Sequence, residues 1–401
     1  MRVLIADKFS AEGKASLATL GLSIDDRPEL GADDLPDALA QGGASVLVVR
    51  STKVTAEAIG RASALSLIIR AGAGVNTIDL EAASTHGVFV ANTPGKNAIA
   101  VAELTMGLIL SLDRSIPDAV AELRGGHWLK KRFGKARGLF GRRLGLVGFG
   151  AIGREVALRA NAFGMDVHAY DVALTDADAE ANEVTRASSL EALLGGSDVV
   201  SVHVPYIKGR THHLIGEPEL AAMKDGAVLV HTARGGVVDD AALAEALRSG
   251  RIRAALDVFE GEPADGEAEW SSPLLQGPGV YGTPHIGAST DQASDAIADE
   301  VVRIIADYLQ QGVVHHCVNI QRPRGEGCTV VIRHLDRVGV LAAVLDAFQK
   351  EQLNVQEMHN VIFDGNAAAS ATISLAHEPS RQLVARLESR DDVLAVSVRP
   401  R

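Results

Sequence analysis

Two cysteines, Cys317 and Cys328, are all that the 401 residues contain. So few exclude a disulfide framework and a paired-cysteine metal knuckle, and they fit a reducing compartment. No run approaches the ~20 apolar residues that a bilayer-spanning helix needs. The opening MRVLIADKFS has no basic stretch leading into a long apolar one, so the cytoplasm is the default expectation. An excess of positive charge is also missing: 39 Lys and Arg face 51 Asp and Glu, a formal charge of −12. That balance argues against nucleic acid or an anionic membrane as partner, and any anion site must be local. Aromatics supply only 4% of the chain, leaving Ala, Val, Leu and Ile to fill the interior. What is present, 47% hydrophobic and 22% charged residues, is the composition of a globular protein. The length predicts two or three domains of roughly 100–200 residues each.

Short β-branched runs (Val3 to Ala6, Val46 to Arg50, Leu67 to Arg70, Val88 to Ala91) alternate with helical stretches such as Ala56 to Arg61. Alternation of this kind predicts βαβ units and a parallel sheet. An apolar helix is expected from Asn97 through Leu112. The alternation then restarts, with strands near Leu144 to Val147, Val167 to Tyr170, Val199 to Val204, Val228 to His231 and Ala254 to Asp257. This second stretch predicts a second doubly wound sheet. A long helix from Asp291 to Leu309, ending at Gly312, is expected to return the chain to the first domain. After the polar QRPRGEG (321–327), a linker by composition, the order strand, helix, strand, strand, helix, strand predicts a βαββαβ module. The fold class expected is therefore α/β: two doubly wound parallel sheets followed by a small βαββαβ unit.

The chemistry is concentrated in the second sheet. Gly148, Gly150 and Gly153 follow an apolar strand and open a helix: the first for a tight turn, the second for close approach of backbone to a pyrophosphate, the third for helix packing. Asp171, 18 residues after Gly153, ends the next strand, where it can accept from ribose hydroxyls and repel a 2′-phosphate. NAD is favoured over NADP. Hydride exchange with a 2-hydroxy acid further needs a cation for the carboxylate, an acid/base for the hydroxyl, and a group that tunes it. Arg234, His285 and Glu262 follow three strands of the one sheet, at the edge where such sheets bind ligands. Taken singly, each has an ordinary reading, as a turn arginine, a helix cap and a solvated carboxylate. Their joint placement beside a dinucleotide fold makes the functional reading the stronger. No metal site is expected.

These segments resemble a known family. HTARGGVVDDAALAEAL (231–247), AALDVFEGEP (254–263), TPHIGAST (283–290) and GFGAIGREVA (148–157) resemble the D-isomer-specific 2-hydroxyacid dehydrogenases, over essentially residues 1–320. The resemblance implies that Arg234 orients substrate, His285 is the acid/base and Glu262 its carboxylate partner. It places Asp257 beside the nicotinamide, and Thr232, Ala233, Ala151, Ile152 and Ala288 among the cofactor contacts. It divides the chain into a discontinuous substrate-binding domain (1–97 and 285–320), an NAD-binding domain (98–284), the linker and a module at 328–401.

Within that family the chain resembles the phosphoglycerate dehydrogenase branch. Arg50 and Ser51 in VVRSTKVT, Arg70 in IRAGAGVNTIDL, and Asn97 in TPGKNAIAVAELTMG resemble its substrate segments, and Trp128, Lys130 and Lys131 its subunit-contact loop. Physically, a phosphorylated substrate needs more positive charge than lactate does, and Arg50 and Arg70 end strands of the first sheet. The basic loop Lys130–Arg132 reads equally as a solvated surface. Ala73 stands where relatives often carry a hydroxyl. The last module resembles the ACT domain, whose amino-acid contacts would map to His334, Asp336 and Asn354, with Asp336 replacing a usual Asn and Val338 a usual Pro. The resemblance thus implies oxidation of 3-phospho-D-glycerate to 3-phosphohydroxypyruvate at the entry to serine synthesis, in a homodimer or homotetramer, with the last module either taking an amino acid as second ligand or serving a purely structural, subunit-joining role. Other D-2-hydroxy acids (2-hydroxyglutarate, glycerate, lactate) and a non-enzymatic, NAD-sensing corepressor-like role stay open.

Overall fold

The computed structural model describes all residues except 264–266, 278 and 322–326. Most of the linker expected at 321–327 thus lies outside the described residues. The chain forms two compact units, Met1–Asn319 and Ile320–Arg401.

In the first unit a five-stranded parallel sheet contains β1 (Arg2–Ile5), β2 (Ser23–Asp26), β3 (Val46–Val49), β4 (Leu67–Arg70) and β5 (Phe89–Asn92), in the order β2-β1-β3-β4-β5. Its central strands are apolar on both faces, as β3 shows with VLVV wholly buried, because helices cover both sides. The helix Asp291–Gln311 stops at Gly312 (φ 68°) and lays Ile297, Val301, Ile304 and Ile305 on one face of this sheet, against Val3, Ile5, Val46 and Ile69. β2, which the alternation does not reveal, is SIDD, a half-exposed edge strand with little apolar signal.

A seven-stranded parallel sheet follows: β6 (Arg143–Val147), β7 (Asp166–Tyr170), β8 (Thr185–Arg186), β9 (Val199–Val202), β10 (Val228–His231), β11 (Arg253–Leu256) and β12 (Val280–Gly282). The order β12-β11-β10-β9-β6-β7-β8 reverses direction between β6 and β9. That switch point leaves a crevice beyond the carboxyl ends of the strands, the place where open α/β sheets take their ligands. Helix Ala98–Arg114 supplies Ala102, Met106, Ile109 and Leu112 to the core on one face of the sheet.

The second unit is an antiparallel sheet of β13 (Cys328–Leu335), β14 (Val355–Ile362), β15 (Ala368–Leu375) and β16 (Val393–Pro400), ordered β14-β15-β13-β16. With helices Val340–Lys350 and Arg381–Glu388 it has the βαββαβ order, around Val330, Ile332, Phe348, Ile373 and Leu383. No helix among the described residues is long and apolar enough to cross a membrane.

Candidate active site

β10, β11 and β12 are neighbours in the second sheet, and their carboxyl ends carry Arg234, Glu262 and His285 into one place. Nδ1 of His285 lies 2.7 Å from Oε1 of Glu262, so the ring donates there, and Nε2 makes no hydrogen bond among the described residues. Burial acts to raise the Glu262 carboxyl. The hydrogen bond and charge of His285, the Phe259 amide at 3.5 Å and the Arg234 guanidinium outweigh it, and Glu262 ionises below the usual carboxylate range. With a depressed folded value, its contribution to stability is present above the ordinary carboxylate range and is lost only as pH falls through the depressed value. The pair therefore stays intact at neutral and mildly acidic pH.

His285 has φ 51°, a left-handed backbone that a clamp enforces. Buried Asp257, just past β11, accepts from Thr283 Oγ1 at 2.6 Å, the Ile286 amide at 2.9 Å and the Gly287 amide at 2.8 Å. Both oxygens of the carboxylate expected beside the nicotinamide are thus engaged by the loop that carries His285.

The Arg234 guanidinium is mostly buried and donates through Nη1 to the Ala233 carbonyl at 2.6 Å. Burial lowers its pKa, and the Glu262 charge opposes that. Its Nη2 would lie 3.5 Å from a Cβ built on Gly74, so it reaches the loop after β4 in the first sheet. Arg70 stands beside it, and its guanidinium is pushed down to about 10, by burial first and then by Arg234 and Arg50, with Asp7 opposing. Gly72 makes room for Arg70, because a Cβ there would stand 1.7 Å from Nη1. Nε of Arg70 is buried without a partner among the described residues.

Asp7 is a residue that the sequence reading does not single out. At the end of β1 it accepts from the amides of Arg50, Ser51 and Thr52 at 2.7, 3.1 and 3.1 Å and from Ser51 Oγ at 2.8 Å, so it shapes the turn that presents Arg50. The reading also passes over His231 and His203, both fully buried. Burial drives His231 down to about 4 and His203, near His231, to about 3, so both are neutral. His231 Nε2 donates to the Arg234 carbonyl at 2.9 Å and fixes the turn behind that arginine. Thr232 meets Thr105 of helix Ala98–Arg114 at 2.9 Å. A histidine or threonine at a strand end is the signal available, and it is weak by itself.

The cofactor cradle has the shape a dinucleotide needs. Gly148 has φ 97°, and a Cβ on Gly153 would stand 2.4 Å from the Gly148 carbonyl oxygen. Helix Ala151–Ala162 begins at Gly150 with no side chain capping it, and nothing lies within 4 Å of a Cβ there. Unpaired first-turn amides and the positive dipole end are what a pyrophosphate requires. Asp171 accepts from the Phe149 and Ala173 amides at 2.9 and 2.8 Å, which holds its carboxylate beside the glycine turn.

The other expected residues have surroundings of their own. Asn97 precedes helix Ala98–Arg114 without a side-chain hydrogen bond to cap it. Lys130 and Lys131 are exposed, while Arg132 pairs with Glu122 at 2.7 Å. In the second unit His334 is buried, its Nδ1 donating to the Leu335 carbonyl at 2.8 Å and its Nε2 3.2 Å from Asn360 Oδ1, whereas Asp336 and Asn354 are exposed.

The family description "D-isomer specific 2-hydroxyacid dehydrogenase, NAD binding domain" matches residues 106–287. A hydroxypyruvate reductase of Thermotoga maritima is 47% identical over 262 residues, 65% of this chain and 83% of that protein. The chain belongs to the D-isomer-specific 2-hydroxyacid dehydrogenase family. A D-3-phosphoglycerate dehydrogenase of Methanocaldococcus jannaschii is 45% identical over 278 residues, 68% of this chain and 52% of that protein. The chain thus spans about half the length of that relative. Among solved structures, D-lactate dehydrogenase from Aquifex aeolicus, complexed with NAD and lactic acid, superposes with a TM-score of 0.63 at 32% identity, covering 77% of this chain and 96% of that one. The nucleotide for which this family's cradle is built is NAD.

Proposed function

We propose that the protein oxidises 3-phospho-D-glycerate to 3-phosphohydroxypyruvate, feeding serine synthesis. The observation that carries this reading is the convergence of Arg50, Arg70 and Arg234. Three guanidiniums crowd together, while Asp7, the carboxylate that opposes the shift of Arg70, is occupied by backbone amides, and Glu262, which opposes that of Arg234, is paired with His285. Such a cluster requires a ligand with more than one negative charge, and a carboxylate plus a phosphate meets that need.

When bound, NAD supplies the carbon that accepts the hydride. The chain's own residues do the rest: Arg234 holds the carboxylate or C2 oxygen, Arg70 and Arg50 hold the phosphate, and Nε2 of His285 takes the hydroxyl proton. Glu262 stabilises the imidazolium so formed, and in the reverse direction that imidazolium is the acid. Positioning of substrate across the two sheets excludes water from the reacting centre. The scarcity of cysteine supports a cytoplasmic setting. Exposed Ile116, Val120 and Leu123 on helix Ile116–Arg124, with Trp128 nearby, support assembly with further copies of the chain. An amino acid at the second unit remains part of this reading.

The Thermotoga maritima relative favours a second reading, reduction of hydroxypyruvate. Arg70→Ala separates the two. Losing a charge-assisted contact of about 1.5–3 kcal/mol lowers kcat/KM for phosphohydroxypyruvate by about 10- to 150-fold. Turnover of hydroxypyruvate should change little, since it has no phosphate to lose. Equal losses on both substrates, with NADH consumption as readout, would discard the phosphate assignment.

Glu262→Gln tests the acid/base pair. Without the carboxylate the ring loses the charged acceptor that orients it, a hydrogen bond of about 1.5–3 kcal/mol, so kcat/KM should fall by about 10- to 150-fold in both directions. Unchanged kcat/KM for both oxidation and reduction would show that Glu262 does not support the ring.

A further inference from the structure

Beside the catalytic edge lies a second cluster of side chains for which hydroxy-acid chemistry has no use. His212 and His213, on the loop after β9, stack with ring centroids 3.9 Å apart and planes 21° from parallel. Glu260, on the loop after β11, places Oε1 2.5 Å from Nε2 of His213. One donor atom from each of His212, His213 and Glu260 lies within 4.8 Å of the other two. Behind His213, Nδ1 faces Asp239 Oδ2 at 3.5 Å. That carboxylate is fixed in turn, because its other oxygen caps helix Asp240–Arg248 through the Ala241 and Ala242 amides at 3.0 Å. The Glu260 amide is tied to Asp240 Oδ2 at 3.0 Å, so both supporting loops are anchored on the same helix start.

Two imidazoles and a carboxylate with converging donor atoms are a donor set suited to borderline divalent ions, with a coordination position left for water. A carboxylate behind the distal nitrogen of a ligating histidine sets its tautomer and orientation, and Asp239 stands where such a partner is needed for His213. A plain ion pair between His213 and Glu260 explains only half the arrangement. Among the described residues the His212 ring makes no hydrogen bond, and it lies against another imidazole with only the edge-on Tyr206 ring on it besides.

We propose that His212, His213 and Glu260 bind one divalent transition-metal ion, zinc or an ion of similar chemistry, at the rim of the catalytic edge. The site lies over the turn that follows Arg234: a Cβ on Gly236 would be 3.8 Å from Glu260 Oε1, and one on Gly235 2.1 Å from the Phe259 carbonyl oxygen. Glu260 is two residues before Glu262. An ion here ties the 212–213 loop to the segment that carries the partner of His285. The proposal stands whichever hydroxy acid is the substrate.

The test uses the full chain, stripped of metal with a chelator and desalted. Zn2+ is titrated in competition with a chromophoric indicator, and Co2+ is followed by its visible absorption. The expected result is one saturable ion per chain, Co2+ absorption stronger than that of the hydrated ion, and an unfolding midpoint that Zn2+ raises. His212→Ala and Glu260→Gln should each weaken Zn2+ binding by at least about tenfold and abolish the Co2+ spectrum. Metal-free turnover and far-UV circular dichroism should match the parent in both, which separates loss of the site from loss of the fold. Absence of stoichiometric binding in the parent chain would overturn the proposal. So would equal binding in parent and both variants, because the ion would then sit on others of the 13 histidines or on a cysteine.

Discussion

His285→Asn should lower kcat by about 10²- to 10⁴-fold, the range expected for removing a general acid/base. Asparagine is the informative replacement. His285 has φ 51°, and Asn is among the few residues that tolerate a left-handed backbone, so the loop should keep its course. The Asp257 clamp on Thr283, Ile286 and Gly287 is untouched, and an Asn amide can still donate toward Glu262. What is lost is the nitrogen that takes and returns a proton. NADH binding, read by quenching of protein fluorescence, should change little, since the cradle is built from Gly148 to Gly153 and Asp171 on other loops. A fall in kcat of less than about tenfold would show that another group moves the proton.

That the candidate set is visible in the sequence follows from the sheet. Parallel strands buried on both faces read as apolar runs, so VLVH, RAAL and the strand before TPH mark their own ends, and polar residues just past them must lie at the ligand-binding edge. Glycines at 148, 150 and 153 are visible because their roles are backbone roles. The strands β2 and β8 at the outer edges are not visible in the same way: β2 is polar, and β8 has two residues, too short to show a period. The residues that position others are hidden for a different reason. Asp7 acts on a turn more than 40 residues away, and Asp257 on a loop 26 to 30 residues away. Pairings of that kind are made by strand order, which composition and periodicity do not carry. His231 and His203 read as ordinary strand residues, and only burial shows that they are neutral and, for His231, tied to Arg234.

Arg234→Ala should cost about 2–5 kcal/mol of transition-state binding, which is about 30- to 5,000-fold in kcat/KM. Truncation leaves a substrate carboxylate desolvated and unpaired in a site where Arg70 and Arg50 are already committed to the other end. Arg234→Lys should recover only part of the loss, because an ammonium restores the charge without the planar fork that meets a carboxylate in two places. The variant also bears on Arg70. Arg234 is, after burial, the largest influence holding Arg70 down, so removing it should ease Arg70 toward its ordinary value. The two arginines then hold opposite ends of one anion while repelling each other without it. Their effects on kcat/KM for phosphohydroxypyruvate should therefore be non-additive, with the double variant Arg70→Ala/Arg234→Ala losing less than the two single losses combined. Strict additivity would mean that the guanidiniums do not share a ligand, and the reading of the substrate as a carboxylate joined to a phosphate would lose its physical basis.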